Sequence, residues 1–144
     1  RSSRAKVTLL SNDSLSLNSS SPVPKNIHSL PLTQKIAKLL KHTDLLVTGG
    51  GRLKYESAFC CIPNATISQT KDQDKDTLVL TSKKLTLNLG LAENFVAQEA
   101  IKKLHLFENK QFIQEFTKQC RNIFFTDSTY SLAKSITKQM KICK

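Results

Sequence analysis

Tryptophan is absent from this chain and aromatic residues make up only 6% of it, so it holds no interleaved basic and aromatic stretch of the kind that stacks RNA bases. Glycine and proline number four each in 144 residues, too few for a low-complexity, collagen-like or linker-like chain. Cysteine also numbers four, as Cys60, Cys61, Cys120 and Cys143, without a Cys-x-x-Cys spacing and without histidines beside them. That pattern argues against a zinc site and against a disulfide framework, and no metal is expected. Cys60 and Cys61 read as small buried residues of a protein in a reducing compartment, which points to the cytoplasm. No apolar run reaches the roughly 20 residues of a membrane-spanning helix. The opening Arg1-Ser2-Ser3-Arg4 lacks the apolar stretch of a signal peptide.

Acidic residues are half as numerous as basic ones, 11 against 22, which leaves a formal charge of +11. The lysines are spread through nearly every segment, as in Lys35, Lys38 and Lys41, and read as solvated faces rather than as a compact nucleic-acid patch. Direct nucleic-acid binding is therefore not expected, while the general positive field suits a polyanionic ligand such as a nucleotide diphosphate. A hydrophobic fraction of 39% over this length fits one globular domain, 1–144.

Three of the four glycines stand together, Gly49-Gly50-Gly51, between the apolar run Asp44-Leu45-Leu46-Val47-Thr48 and the helix-like Arg52 to Phe59. Residues without Cβ let backbone N–H groups approach an anion, and the helix that follows points its positive end at the same place. The same cluster also serves a tight turn with no ligand, so spacing alone leaves both readings open.

Around this junction strands and helices alternate. Ala5 to Ser11 reads as a strand, the serine-rich Asn12 to Lys25 as a loop, and Asn26 to Leu30 as a second strand. Pro31 to Thr43 reads as a helix with Leu32, Ile36, Leu39 and Leu40 at helical spacing, and Leu45 to Thr48 as the third strand. A helix over Arg52 to Cys61, a strand over Pro63 to Gln69, a loop over Thr70 to Lys75 and a helix over Asp76 to Lys84 follow. Leu85 to Gly90 reads as the fifth strand. Helices are then expected over Phe95 to His105, Gln111 to Phe125 and Ser128 to Lys141. This alternation predicts an α/β fold, a Rossmann-like parallel sheet of about five strands with helices on both faces. Ligands of such sheets bind at the carboxyl ends of the strands, where Gly49 to Gly51 lie.

The stretch Asp44-Leu-Leu-Val-Thr-Gly-Gly-Gly-Arg-Leu-Lys-Tyr-Glu-Ser-Ala-Phe-Cys-Cys-Ile-Pro63, followed by a strand and Gln69, resembles the carboxyl-terminal nucleotide-sugar-binding half of GT-B fold proteins. The spore-coat polysaccharide glycosyltransferases, the UDP-sugar hydrolase of pseudaminic acid biosynthesis and the lipid-II-forming N-acetylglucosaminyltransferase carry a similar pattern. The likeness runs from about Leu32 onward and is strongest over Asp44 to Gln73. It implies a nucleotide-sugar donor of the UDP-sugar class with no further cofactor, and a partner amino-terminal GT-B domain in cis or in trans. That missing domain would supply the catalytic group, for which no residue here is a candidate.

By motif position the resemblance assigns Gly49, Gly50 and Gly51 to the diphosphate, Glu56 to the ribose hydroxyls and Arg52 to the nucleotide-binding set. It assigns Gln69, Thr70 and Gln73 to the loop facing the donor. A carboxylate can accept from two vicinal hydroxyls at once, although Glu56 is also spaced to pair with Arg52 at i, i+4. Ser11 and Asn12, at the end of the first strand, are where related folds place another phosphate-contacting loop. Two positions depart from the family. Leu53 replaces a hydroxyl residue, and Cys61 replaces the Gly that ends the helix, so the helix is expected to close differently. The alternatives are a degenerate, non-catalytic interaction module of the same fold and a basic phosphate- or nucleic-acid-binding α/β domain.

Overall fold

The computed structural model describes residues 5–11, 24–33 and 35–124. The helix expected over Ser128 to Lys141 and the residue Asn12 lie outside them. The chain divides into two units, Arg1–Leu39 and Leu40–Lys144. In the first, β1 (Val7–Leu10) and β2 (Ile27–Leu30) pair in parallel, Val7 opposite Ile27 and Leu10 opposite Leu30. The short helix α1 (Ile36–Leu40) runs to the division and is followed by a turn at Lys41 and His42. It is shorter than the expected Pro31–Thr43, because Pro31 to Thr33 are not helical and the Thr33 hydroxyl accepts from the Lys35 N–H at 3.1 Å.

The second unit carries a three-stranded parallel sheet in the order β3-β4-β5, with β3 at Leu46–Gly49, β4 at Asn64–Ser68 and β5 at Leu87–Leu91. The fold class is thus α/β and Rossmann-like, with five described strands in two sheets and parallel pairing within each sheet. Helix α2 (Leu53–Phe59) connects β3 to β4, and α3 (Lys71–Ser82) connects β4 to β5. After β5 come a 3-10 turn, α4 (Ala97–Leu104), a second 3-10 turn and α5 (Lys110–Phe124). The Asn109 carboxamide starts α5 by accepting from the N–H groups of Gln111 and Phe112.

The central strand β4 divides its side chains by the period of two. Ala65 and Ile67 join Leu87 and Leu89 of β5 in an apolar cluster with Ala100 and Phe107. Its alternating residues are polar and buried, and the Thr66 hydroxyl pairs with that of Thr86 at 2.9 Å. A second cluster joins Ala58, Leu80 and Leu85 to Phe116 and Cys120, which stand one turn apart on α5.

Three expectations are corrected. Thr70 to Lys75 is not a loop: Thr70 is the N-cap of α3, its hydroxyl accepting from the Gln73 N–H, and Asp72 and Asp74 in the first turn suit the positive helix end. The fifth strand begins at Leu87, because Lys84 and Leu85 close α3. Cys60 is exposed and Cys61 only half-buried, while among the described cysteines Cys120 is the fully buried one.

The end of α2 is the more instructive departure. Cys61 takes the left-handed conformation at φ 57°, with its N–H on the Ala58 carbonyl and the Ile62 N–H on the Ser57 carbonyl. Those two bonds are the termination motif in which glycine is favoured, so the helix closes as a glycine would close it despite the Cβ. The same motif recurs after α3, where Lys84 stands at φ 58° and the Leu85 N–H reaches the Leu80 carbonyl. Leu80 and Leu85 pack together in the second cluster, the contact that usually accompanies this ending.

Candidate functional site

Parallel pairing brings the carboxyl ends of the three strands to one edge. The register sets Gly49 opposite Ile67, so the turn leaving β3 and the turn leaving β4 lie side by side. The Gln69 N–H donates to the Gln73 Oε1 at 2.9 Å, and Thr70 and Gln73 cap α3. Five of the sequence-predicted residues, Gly49, Gly50, Gln69, Thr70 and Gln73, are therefore gathered at this edge. The polar groups of Thr70 and Gln73 are engaged in shaping it.

The three glycines are not equivalent. A Cβ on Gly50 would stand 2.5 Å from the Gln73 Oε1, 2.7 Å from its Cβ and 2.9 Å from its Cδ, so Gly50 is required by the close passage of α3. A Cβ on Gly49 would meet only the Gln69 side-chain carboxamide, its Nε2 at 3.4 Å and its Cδ at 3.9 Å. A Cβ on Gly51 would meet nothing within 4 Å, and Gly51 is exposed with a φ outside the left-handed region. Nothing within the described fold demands glycine at 51.

Arg52 holds the N-cap position of α2 with no side-chain cap, and its carbonyl accepts from the N–H groups of Tyr55 and Glu56. Glu56 is exposed in the first turn, one turn beyond Gly51. The ion pair with Arg52 that the i, i+4 spacing offered is not formed, and among the described residues the Glu56 carboxylate has no partner. Ser11 belongs to the first unit, where its N–H donates to the Leu30 carbonyl at 3.1 Å.

Sequence reasoning missed the most unusual group beside this edge. Lys54, read with the other lysines as solvated, is completely buried. Its Nζ lies 2.8 Å from the Asp76 Oδ2 and donates to the Thr77 Oγ1 at 3.0 Å. The Tyr55 hydroxyl donates to the same Asp76 oxygen, and the Tyr55 ring lies 5.4 Å from the ammonium. Thr77 Oγ1 also accepts from Ser68 Oγ at 3.1 Å and donates to the Gln73 carbonyl at 2.7 Å, so its single proton and both lone pairs are used. The Lys54 ammonium, helped by the Tyr55 hydroxyl, holds the Asp76 carboxyl below its ordinary value. Burial first, and then Asp76, pushes the Tyr55 phenol up to about 12. One signal was present in the sequence: Lys54 shares a helix face with Ser57 and Ala58, small residues at i+3 and i+4 that mark the buried side.

Among the described residues no group of three or more His, Cys, Asp or Glu is gathered as metal ligands would be. No described helix is long and apolar enough to cross a membrane. Two surface hollows lie away from the strand edge, one along α5 from Ile113 to Asn122 and one between α3, β5 and α5. The edge itself forms a shelf at the surface, where Gly51, Arg52 and Glu56 are exposed. Neither the family models of known protein families nor the curated proteins include a match to this chain.

Proposed function

We propose that this chain binds the diphosphate and ribose of a nucleotide-sugar of the UDP-sugar class at Gly49–Gly51 and Glu56. It would do so as the donor-binding half of a GT-B type glycosyltransferase or related UDP-sugar hydrolase acting in glycan biosynthesis in the cytoplasm. The observation that carries this reading is Gly51, where the fold has no use for a missing side chain and the backbone is open to an approaching group. The unpartnered Glu56 one turn further on adds to it, because an acceptor-only carboxylate suits a pair of vicinal hydroxyls. The family resemblance over Asp44 to Gln73 assigns those same two positions to donor contacts. Cys61 does not weaken the reading, since it keeps the left-handed helix ending of the glycine it replaces.

The contribution of this half would be to hold the leaving nucleotide diphosphate and stabilise its developing charge through backbone N–H groups. An amino-terminal domain, on the same or another chain, would bring the acceptor and any catalytic base. The test is a thermal-shift titration with UDP, UDP-sugars, CMP and GDP, since a ligand that binds only the folded state raises the melting temperature. The expected result is selective stabilisation by the uridine nucleotides, lost in Glu56→Ala. A shift of equal size in Glu56→Ala, or none with any nucleotide at millimolar concentration, contradicts the proposal.

A further inference from the structure

We propose that Lys54 is a positioning residue whose buried ammonium locks the Gly49–Gly51 turn onto α3, in the geometry that receives the diphosphate. The role in ligand binding rests on the donor-site reading above.

Lysine is almost never fully buried unless paired, and here the pairing is directional. Two of its three N–H groups are spent on partners on successive residues of α3, Asp76 and Thr77. These contacts close a circuit. From Gly50 the chain runs through the first turn of α2 to Lys54, whose ammonium reaches Thr77. Thr77 donates to the carbonyl of Gln73, and the side chain of Gln73 fills the space over Gly50. Ser68, at the end of β4, ties the circuit to the sheet through Thr77. An apolar side chain of similar length would fill the volume but would leave α2 free to turn or slide against α3. A buried ion pair adds little net stability against an apolar replacement, so what it contributes here is orientation.

The network is not built to move protons. Tyr55 is pushed up to about 12 and Asp76 is held low, so the pattern of charges stays fixed across the neutral range. The ammonium is sealed from solvent and does not itself reach a ligand on the shelf. Fixing the turn is the role left to it.

The experiment is amide hydrogen exchange of the chain and of Lys54→Met without ligand, followed by titration of each with UDP. In Lys54→Met, exchange is expected to accelerate on the order of tenfold over Gly50–Lys54 and Gln69–Gln73 while Ala65–Ile67 stay unchanged, and the Kd for UDP to rise by a similar factor. Unchanged exchange in both segments overturns the proposal, as does acceleration shared equally by β4, which would mean general loosening. Asp76→Asn, a change at a half-exposed position, is expected to give the same local pattern and keeps the test available should Lys54→Met fail to fold. Local acceleration with no UDP binding by the parent chain would overturn the donor-site reading alone. UDP affinity unchanged in both variants would overturn the positioning role alone.

Discussion

Replacing Gly50 and Gly51 separately by alanine divides the glycine cluster into a part the fold needs and a part it does not. At Gly50 the new methyl would sit 2.7 Å from the Cβ of Gln73, against a comfortable carbon–carbon separation of about 3.5–4.0 Å. That Cβ is fixed to the first turn of α3 and cannot swing aside as a side-chain end could. Either the helix or the turn must retreat by about 1 Å, and overpacking of this kind costs about 1–3 kcal/mol. The retreat also strains the bond from the Gln69 N–H to the Gln73 Oε1, which adds about 0.5–1.5 kcal/mol if lost. Gly50→Ala should therefore cost about 2–4 kcal/mol. With a urea slope near 2 kcal/mol/M, the unfolding midpoint would fall by about 1–2 M. Gly51→Ala meets no atom within 4 Å at an ordinary φ, so it should leave stability unchanged or raise it by about 0.4–1 kcal/mol through the unfolded chain. Urea titrations followed by circular dichroism decide the matter. Equal midpoints for the two variants, or a lower one for Gly51→Ala, would refute the assignment of Gly50 to packing and Gly51 to open surface.

Cys61→Gly should stabilise the chain by about 0.5–1 kcal/mol, because relief of a left-handed residue, about 1–2 kcal/mol, exceeds the added freedom of glycine in the unfolded state, about 0.5–1 kcal/mol. A lower melting temperature would show that the packing of Cys61 against the Phe116 and Cys120 cluster dominates instead. Asp76, lowered by Lys54 and Tyr55, contributes stability above its ordinary value of 3.8 that is lost as pH falls through the folded value. Between about pH 5 and 3 the parent chain should thus lose more stability than Asp76→Asn, by a modest amount because the carboxylate is 46% exposed. Tyr55, raised from 10.0 to about 12, contributes stability below its ordinary value that disappears as pH climbs through that interval. Tyr55→Phe should flatten the alkaline limb of the same stability profile, and an unaltered limb would contradict the placement of the phenol.

The parts of the fold legible in the sequence were those written in local pattern. The run Leu45 to Thr48, the glycines after it and the apolar face of Phe116 and Cys120 each announce their element within a few residues. Thr70 to Lys75 was also locally written, in the capping pair Thr70 and Gln73 and the acidic first turn, but polar composition hid it behind a loop reading. The circuit around Lys54 was not legible in the same way. Its partners Asp76 and Thr77 lie on another helix and meet it only when β3 and β4 pair, and a lysine in isolation reads as surface. The distinction between Gly50 and Gly51 depends likewise on where α3 passes, which no spacing within the glycine run encodes.

Whether the shelf at Gly51 and Glu56 receives a uridine diphosphate is decided by an amide chemical-shift map recorded during a titration with UDP. Saturable shifts concentrated on Gly50, Gly51, Arg52, Leu53 and Glu56 are expected, with little change along α5. Shifts absent at millimolar UDP, or centred on the hollow along α5 from Ile113 to Asn122, would contradict the donor-site reading.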